Sequence, residues 1–412
     1  MRLIEAMFPA VSTPPSTPAL VSDEDIGAPA AAELLPLIEA RDAQTLAWQV
    51  EVALIPGVTG AEPARARWMK DAFRAEGARD VVIDDVGNVV ARFAGRDALA
   101  PVVVLAHLDT VVAVDPGRPI REVESRLVGA GINDNARGLA ATLTIASELA
   151  TGRHAHRRPI VLVATVGEEG AGDLRGARHY FTHAPLASAA IALDGAGDDR
   201  IVHRGLGSRR FRVTFDGPGG HSWAAYGTPN AVHAASACAA RLARLRLPSD
   251  PRATLTVARI GGGIAVNAIP DHAWLEVDAR SVDAMTLEWL EREVHRAARE
   301  SLREENERRS RTTSGLSAAV ERFGNRPPGA TPVDDPLVHI AMAATRSIGR
   351  EPELACASTD ANVPMSLGIP AIAIGAGGIG GDAHTEHEWF ENVEGPRGIA
   401  RALAIVLAAA NL

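Results

Sequence analysis

His107-Leu-Asp109-Thr, Gly167-Glu168-Glu169-Gly and Asp194-Gly each follow a short run of apolar residues, and His384 follows another through a Gly-rich loop. Asp134 stands in a further loop, Gly129-Ala-Gly-Ile-Asn-Asp134-Asn135, just before a helical stretch. Together they offer imidazoles and carboxylates with no thiolate among them. Nitrogen and oxygen donors suit zinc, manganese or cobalt better than a soft metal, and mixed histidine and carboxylate sets recur in two-metal hydrolases. Charge counting favours two ions. Two divalent cations bring about +4, and Asp134, Glu169, Asp194 and a hydroxide bring about −4, whereas one ion leaves the carboxylates unbalanced. Taken singly, a histidine after a strand, a Glu-Glu pair in a loop and an aspartate in a Gly-rich turn are ordinary surface, turn or cap residues. Their shared position at the ends of apolar runs is what points to chemistry.

Those runs, 101–106, 159–166, 189–193 and 370–374, read as buried strands, with helical stretches near 136–150 and 174–183 between them. Strands alternating with helices in this way imply βαβ units and a parallel sheet. In such a sheet ligands bind outside the carboxyl ends of the strands, which is where the candidate residues fall. Helical periodicity over 30–55 and 61–77 and β-rich runs at 81–85 and 88–93 complete the first part of the chain. The expected fold class is therefore α/β, with a doubly wound, mostly parallel sheet. Residues 207–325 read differently: a strand at 209–215, a helix at 229–246, strands at 253–260 and 273–279, a long charged helix at 284–308 and a last strand near 315–322. That order predicts an inserted α+β domain of the ferredoxin-like type. The metal-binding domain is then discontinuous, spanning 30–206 and 326–412. Residues 1–29, with prolines at 9, 14, 15 and 18 and no continuous apolar segment, read as a flexible arm and not an export signal.

Composition narrows the partners. The 412 residues leave room for two or three domains at roughly 100–200 residues each. The charged residues sum to a net charge of −9, so no basic footprint for nucleic acid is present. No apolar run reaches the roughly 18–20 residues of a bilayer span, so no membrane partner is expected. Only Cys238 and Cys356 occur, too few for a disulfide framework and without a CxxC pair, which favours a reducing, cytoplasmic setting.

The motifs His107-Leu-Asp-Thr-Val, Gly131-Ile-Asn-Asp-Asn, Gly167-Glu-Glu-Gly and His384-Thr-x-x-Glu388 stand in the order and spacing of a two-zinc metallopeptidase family. The chain resembles that family, which includes glutamate carboxypeptidase, tripeptide aminopeptidase, aminoacylase and acetylornithine deacetylase, over about residues 30–410. The stretch Ser358-Thr-Asp-Ala-Asn-Val-Pro looks most like the tripeptide aminopeptidase branch. The resemblance implies two divalent metal ions per subunit, with His107 and Asp194 on one, Glu169 and His384 on the other, and Asp134 bridging. It also implies a cis Asp134–Asn135 peptide and makes Glu168 the general base. Asp109, two residues past His107, would accept the imidazole N–H. The inserted domain would make a homodimer, with His221 of Gly217-Pro-Gly-Gly-His-Ser reaching the partner's site to steady an oxyanion. Asn267 and Arg280 resemble positions that hold substrate oxygen and carboxylate, the latter task suiting a guanidinium fork; pairing of Arg280 with Asp278 is the structural alternative. Within the family aspartate at the Asp194 position goes with peptidases, so the expected activity is hydrolysis of an amide in a small peptide by an exopeptidase, and an N-acyl-amino-acid deacylase is the alternative. One departure is Arg137, where the family often has lysine.

Two further patterns compete with this reading. Gly375-Ala-Gly-Gly-Ile-Gly380 fits GxGxxG after a strand, the mark of a dinucleotide-binding protein, but that fingerprint needs a helix to begin within the loop and the residues that follow have no apolar period. His384 and His387 also form an HxxH pair, which leaves His387 a possible ligand on spacing alone.

Overall fold

The computed structural model describes residues 30–114, 119–184, 186–310 and 313–412, so the arm expected over 1–29 lies outside the described residues. The strand Val102–His107 runs through the middle of a nine-stranded sheet, parallel to Ile160–Thr165 on one side and to Ala189–Leu193 on the other. Ala371–Ile374 adds to Ala189–Leu193, also parallel. The chain thus leaves Val102–His107 first to one side and then to the other, the reversal that opens a crevice at the carboxyl ends of these strands. Antiparallel pairs enter at the margins, Val89–Phe93 against Ile160–Thr165 and Arg200–Gly205 against Ala371–Ile374, while Glu353–Ala357 adds to Arg200–Gly205 in parallel.

Alternation explains how both faces of the central strand are buried. Val102, Val104 and Ala106 join a core made with the helices Ala136–Ala150 and Gly395–Asn411, whereas Val103 and Leu105 join a second core that includes Tyr180 and Met365. The helix Ala136–Ala150 is buried over nearly its whole length, which its small Ala, Gly and Thr residues permit. Asn135 caps it by accepting from the Gly138 amide, as a short polar side chain at a helix start does.

The inserted segment forms its own sheet of four antiparallel strands, in the order Ala253–Gly262, His272–Ser281, Gly207–Asp216, Ser317–Arg326. This is the spatial order of a ferredoxin-like βαββαβ unit. Phe211, Val213, Phe215, Leu275 and Val277 pack beneath the helices Ala231–Ala243 and Ala284–Arg308. The opposite face carries ion pairs such as Arg212 to Glu276 at 2.7 Å.

A small sheet not foreseen from the sequence joins Ile379–Gly381, Trp389–Glu391, Arg126–Val128 and Arg121–Val123. It brings the hairpin that bears His384 against the segment that leads into Asp134. Among the described residues no helix is long and apolar enough to cross a membrane.

Candidate metal centre

His107 is the last residue of the central parallel strand, and Glu168, Glu169 and Asp194 follow the ends of its two neighbours. Asp134 lies between two imidazoles: its Oδ1 is 2.9 Å from His107 Nε2 and its Oδ2 is 3.2 Å from His384 Nε2. Asp194 Oδ1 lies 3.8 Å from His107 Nε2, and Glu169 Oε1 lies 2.8 Å from His384 Nε2. Donor atoms of His107, Asp134 and Glu169 fall within 4.8 Å of one another. Among the described residues the three carboxylates have no arginine or lysine partner within ion-pair distance. Three carboxylates crowded against two imidazoles need positive charge, and the oxygen and nitrogen donors suit divalent cations. The residues fit a two-metal group.

The electrostatics follow from burial and crowding. Burial alone would push the His107 pKa down, but the facing carboxylates of Asp109, Asp134 and Asp194 outweigh it and hold it well above the usual histidine range. His384 is raised to about 9, chiefly by Asp134. Burial would raise Asp134, yet the two histidines hold it well below the carboxylate range. Glu168 and Glu169 move the other way, raised first by desolvation; for Glu168 the Arg326 guanidinium opposes the shift.

The ligand-bearing loops are tied through their backbones. The Asp134–Asn135 peptide is cis, as the motif led us to expect. Asn135 accepts from the Gly195 amide at 3.1 Å and donates to the Leu193 carbonyl at 2.8 Å, so it grips both neighbours of Asp194. Glu388, the last residue of the His384 motif, accepts from the amides of Gly131, Asn133 and Asp134 at 3.1, 2.8 and 2.7 Å. His384 itself sits at φ 66°, a region that few non-glycine residues adopt and that recurs at functional sites.

Asp109 meets His107 through its backbone as well as its side chain. Its backbone carbonyl takes the His107 Nδ1–H at 3.0 Å, while its carboxylate stands 3.6 Å from that nitrogen. A carbonyl only accepts, so the proton is on Nδ1 and Nε2 is free to bind a metal. The carboxylate instead receives the amides of Glu168 and Glu169, each at 2.9 Å, and the Thr59 hydroxyl at 2.8 Å. Asp109 therefore orients the two glutamates more directly than the imidazole.

Glu168 and Glu169 diverge. Glu169 turns to His384, and Glu168 turns to Arg326, whose guanidinium donates to Glu168 Oε1 at 3.1 Å and to the Glu168 carbonyl. Arg326 also donates to the Ser358 hydroxyl at 3.1 Å. Asp360, fully buried nearby, accepts from Thr165 at 2.5 Å and is raised to about 6 by desolvation. Arg137 is fully buried too, donating to the carbonyls of Ala376 and Gly395, both at 2.9 Å, and lying over the Phe390 ring. Through the Ala376 amide, bonded to the Gly195 carbonyl at 2.8 Å, it supports the loop that carries Asp194.

The inserted sheet's expected residues lie apart from this cluster in their bonding. Gly220–His221 pairs with Ala268–Ile269, and the Ser222 amide donates to the Asn267 carbonyl at 2.9 Å, so His221 and Asn267 share one ribbon. The amides of Trp223 and Ala224 donate to His221 Nδ1 at 3.2 and 3.3 Å, which leaves Nε2–H as a donor. Among the described residues no hydrogen bond or ion pair joins either side chain to the metal cluster. Arg280 takes the structural alternative, donating to Asp278 at 2.6 Å, while also lining a cavity of about 580 Å³ with Arg204 and Arg252. The loop at 375–380 runs into the strand Ile379–Gly381 and starts no helix, so the dinucleotide reading fails. His387 is exposed and outside the cluster.

Residues 103–411 match the model of peptidase family M20/M25/M40. The chain belongs to that family. It is thus a hydrolase of the metallopeptidase class. Succinyl-diaminopimelate desuccinylase of Corynebacterium glutamicum is 28% identical over 334 residues, covering 78% of this chain and 85% of that protein. Aminopeptidase PepT of Bacillus cereus shares the fold, with a TM-score of 0.72 at 23% identity over 90% of this chain and 99% of its own. A Bacillus subtilis member of the M20 family, described as a dinuclear metal binding peptidase, shares it at a TM-score of 0.64 and 17% identity, over 90% of this chain and 98% of that one.

Proposed function

We propose that this protein is an exopeptidase that hydrolyses an amide bond of a small peptide at a two-metal centre. His107 and Asp194 would hold one cation, Glu169 and His384 the other, and Asp134 would serve both; the donors suit zinc, with manganese or cobalt as substitutes. The observation that carries this reading is the position of Asp134, with one oxygen on each imidazole. When bound, the cations supply Lewis acidity and lower the pKa of water toward about 7. Glu168 takes a proton from the attacking water and returns it to the departing amine, a role worth about 10²–10⁴ in rate. Asp109 fixes Glu168 through its amide, and Arg326 fixes its side chain.

His221 donates to the developing oxyanion in the partner's site, which makes the active form a homodimer built on the inserted domain. Trp223 (87% exposed) and Val266 (104%), beside the His221–Asn267 ribbon, support a second copy as what covers this face. Unpaired Cys238 and Cys356 support a reducing, cytoplasmic setting.

A second reading, N-acyl-amino-acid deacylase, is favoured by the desuccinylase relative and by the Arg204, Arg252 and Arg280 guanidiniums, which suit a substrate carboxylate. Di- and tripeptides assayed against N-acetyl and N-succinyl amino acids with added zinc, manganese or cobalt separate the two. Peptide cleavage is the expected result, and turnover of the acylated compounds alone would replace the first reading with the second.

A further inference from the structure

A cavity of about 200 Å³ opens beside Asp194, bounded by Arg200, Val202, Thr359, Ala373 and Ile374. It is smaller than the roughly 300–1,000 Å³ of a drug-sized site, so only a short group fits. Arg200 and Val202 sit two apart on the strand Arg200–Gly205 and so face the same side. Val202, Ala373 and Ile374 give one apolar part of the wall, Asp194, Ser358 and Thr359 a polar part, and the guanidinium is its one cation.

That guanidinium is not taken by another charge. Its recorded bond is to the Cys356 carbonyl at 3.5 Å, and among the described residues no carboxylate lies within ion-pair distance of it. Asp198, two residues earlier, is bound by Arg350 at 3.0 Å. Glu353 is its register partner on the neighbouring strand but stays outside that distance. Arg204, on the same face of the strand, lines a larger cavity with Arg252 and Arg280, where Asp250 also lines the wall and Arg280 is paired with Asp278. In a chain of net charge −9, an arginine with no carboxylate partner stands out as a local positive group.

Building on the amide-hydrolase reading above, we infer that the cavity beside Asp194 selects substrates by a short arm that ends in a carboxylate, with Arg200 as its anchor. An acid-ended arm places its carbons along Val202, Ala373 and Ile374 and its carboxylate on the guanidinium fork. A neutral arm of equal length keeps the apolar contact and neutral hydrogen bonds but loses the charge-assisted one, and a cationic arm meets like charge at Arg200.

The test measures kcat/KM for two pairs that differ only at the end of the arm: Asp-Ala against Asn-Ala, and N-succinyl-alanine against its succinamyl counterpart. In the metal-loaded protein the acid member is favoured about tenfold or more in whichever pair is hydrolysed, mostly through KM, as a charge-assisted contact predicts. Arg200→Ala brings the ratio to near one and Arg200→Glu inverts it. Each ratio is taken within a single variant, so partial misfolding cancels. A wild-type ratio near one, or a ratio unchanged by Arg200→Ala, overturns the inference while the hydrolase reading stands. If none of the four compounds is cleaved with zinc, manganese or cobalt, the exopeptidase and deacylase readings above fall together with this inference, while the family assignment stands.

Discussion

At the carboxyl ends of the parallel strands, buried side chains spend their hydrogen bonds on neighbouring backbone: Asn135 on both sides of Asp194, Glu388 on three amides before Asp134, Arg137 on two carbonyls. In the inserted segment, outside its four-stranded sheet, His221 and Asn267 sit on a small separate ribbon whose neighbours Trp223 and Val266 stand almost wholly in solvent. In the first region most buried polar groups find their partners within one chain, as burial demands. The second is locally satisfied yet leaves apolar surface open. On our reading the difference teaches that metal binding belongs to the single subunit, whereas oxyanion stabilisation belongs to the pair.

The sharpest break in that comparison is at Glu168. Replacement by alanine would strand Arg326 as a buried unpaired cation, so the informative change is Glu168→Gln, which keeps an acceptor for it. We expect kcat to fall about 10²–10⁴-fold with metal content and thermal midpoint close to wild type, checked by steady-state kinetics, elemental analysis and calorimetry. A kcat within a few fold of wild type would remove Glu168 as the base.

Next comes His221→Ala, for which we expect a loss of about 10²–10³-fold in kcat, typical of an oxyanion donor. Mixing Glu168→Gln with His221→Ala subunits should restore activity, since a mixed dimer contains one site with both groups intact. No recovery after subunit exchange, verified by mass, would place His221 in its own chain's site or outside catalysis.

A smaller effect is expected at Arg137. Arg137→Lys keeps the charge but loses the fork that spans Ala376 and Gly395, and second-layer changes of this kind cost about 10–100-fold in metal affinity. Competitive titration with a chelator should show one of the two sites weakened, the one that includes Asp194. Equal weakening of both sites would mean that Arg137 supports the fold in general.

Much of the site was legible because chemistry and periodicity coincide there. His107, Glu168, Glu169 and Asp194 follow apolar strands whose ends a parallel sheet gathers together, and the ferredoxin-like order was written in the alternation of strands and helices from 207 onward. Arg326 was not legible. Its partner is 158 residues away, and an arginine at the end of a strand carries no local signal of what it will meet. The same holds for the sheet that joins 121–128 to 379–391, whose three-residue strands are too short to show a period. Asp109 was read for its carboxylate facing His107, which it does at 3.6 Å, but its closer bonds, to the amides of Glu168 and Glu169, had no signal in the spacing.

The central claim is that His107, Asp134, Glu169, Asp194 and His384 hold two divalent cations. Elemental analysis after reconstitution with zinc, on wild type and on Asp134→Ala, tests it most directly. The account predicts two equivalents per chain in the wild type and loss of tight binding at both positions in the variant, and two equivalents retained by Asp134→Ala would contradict it.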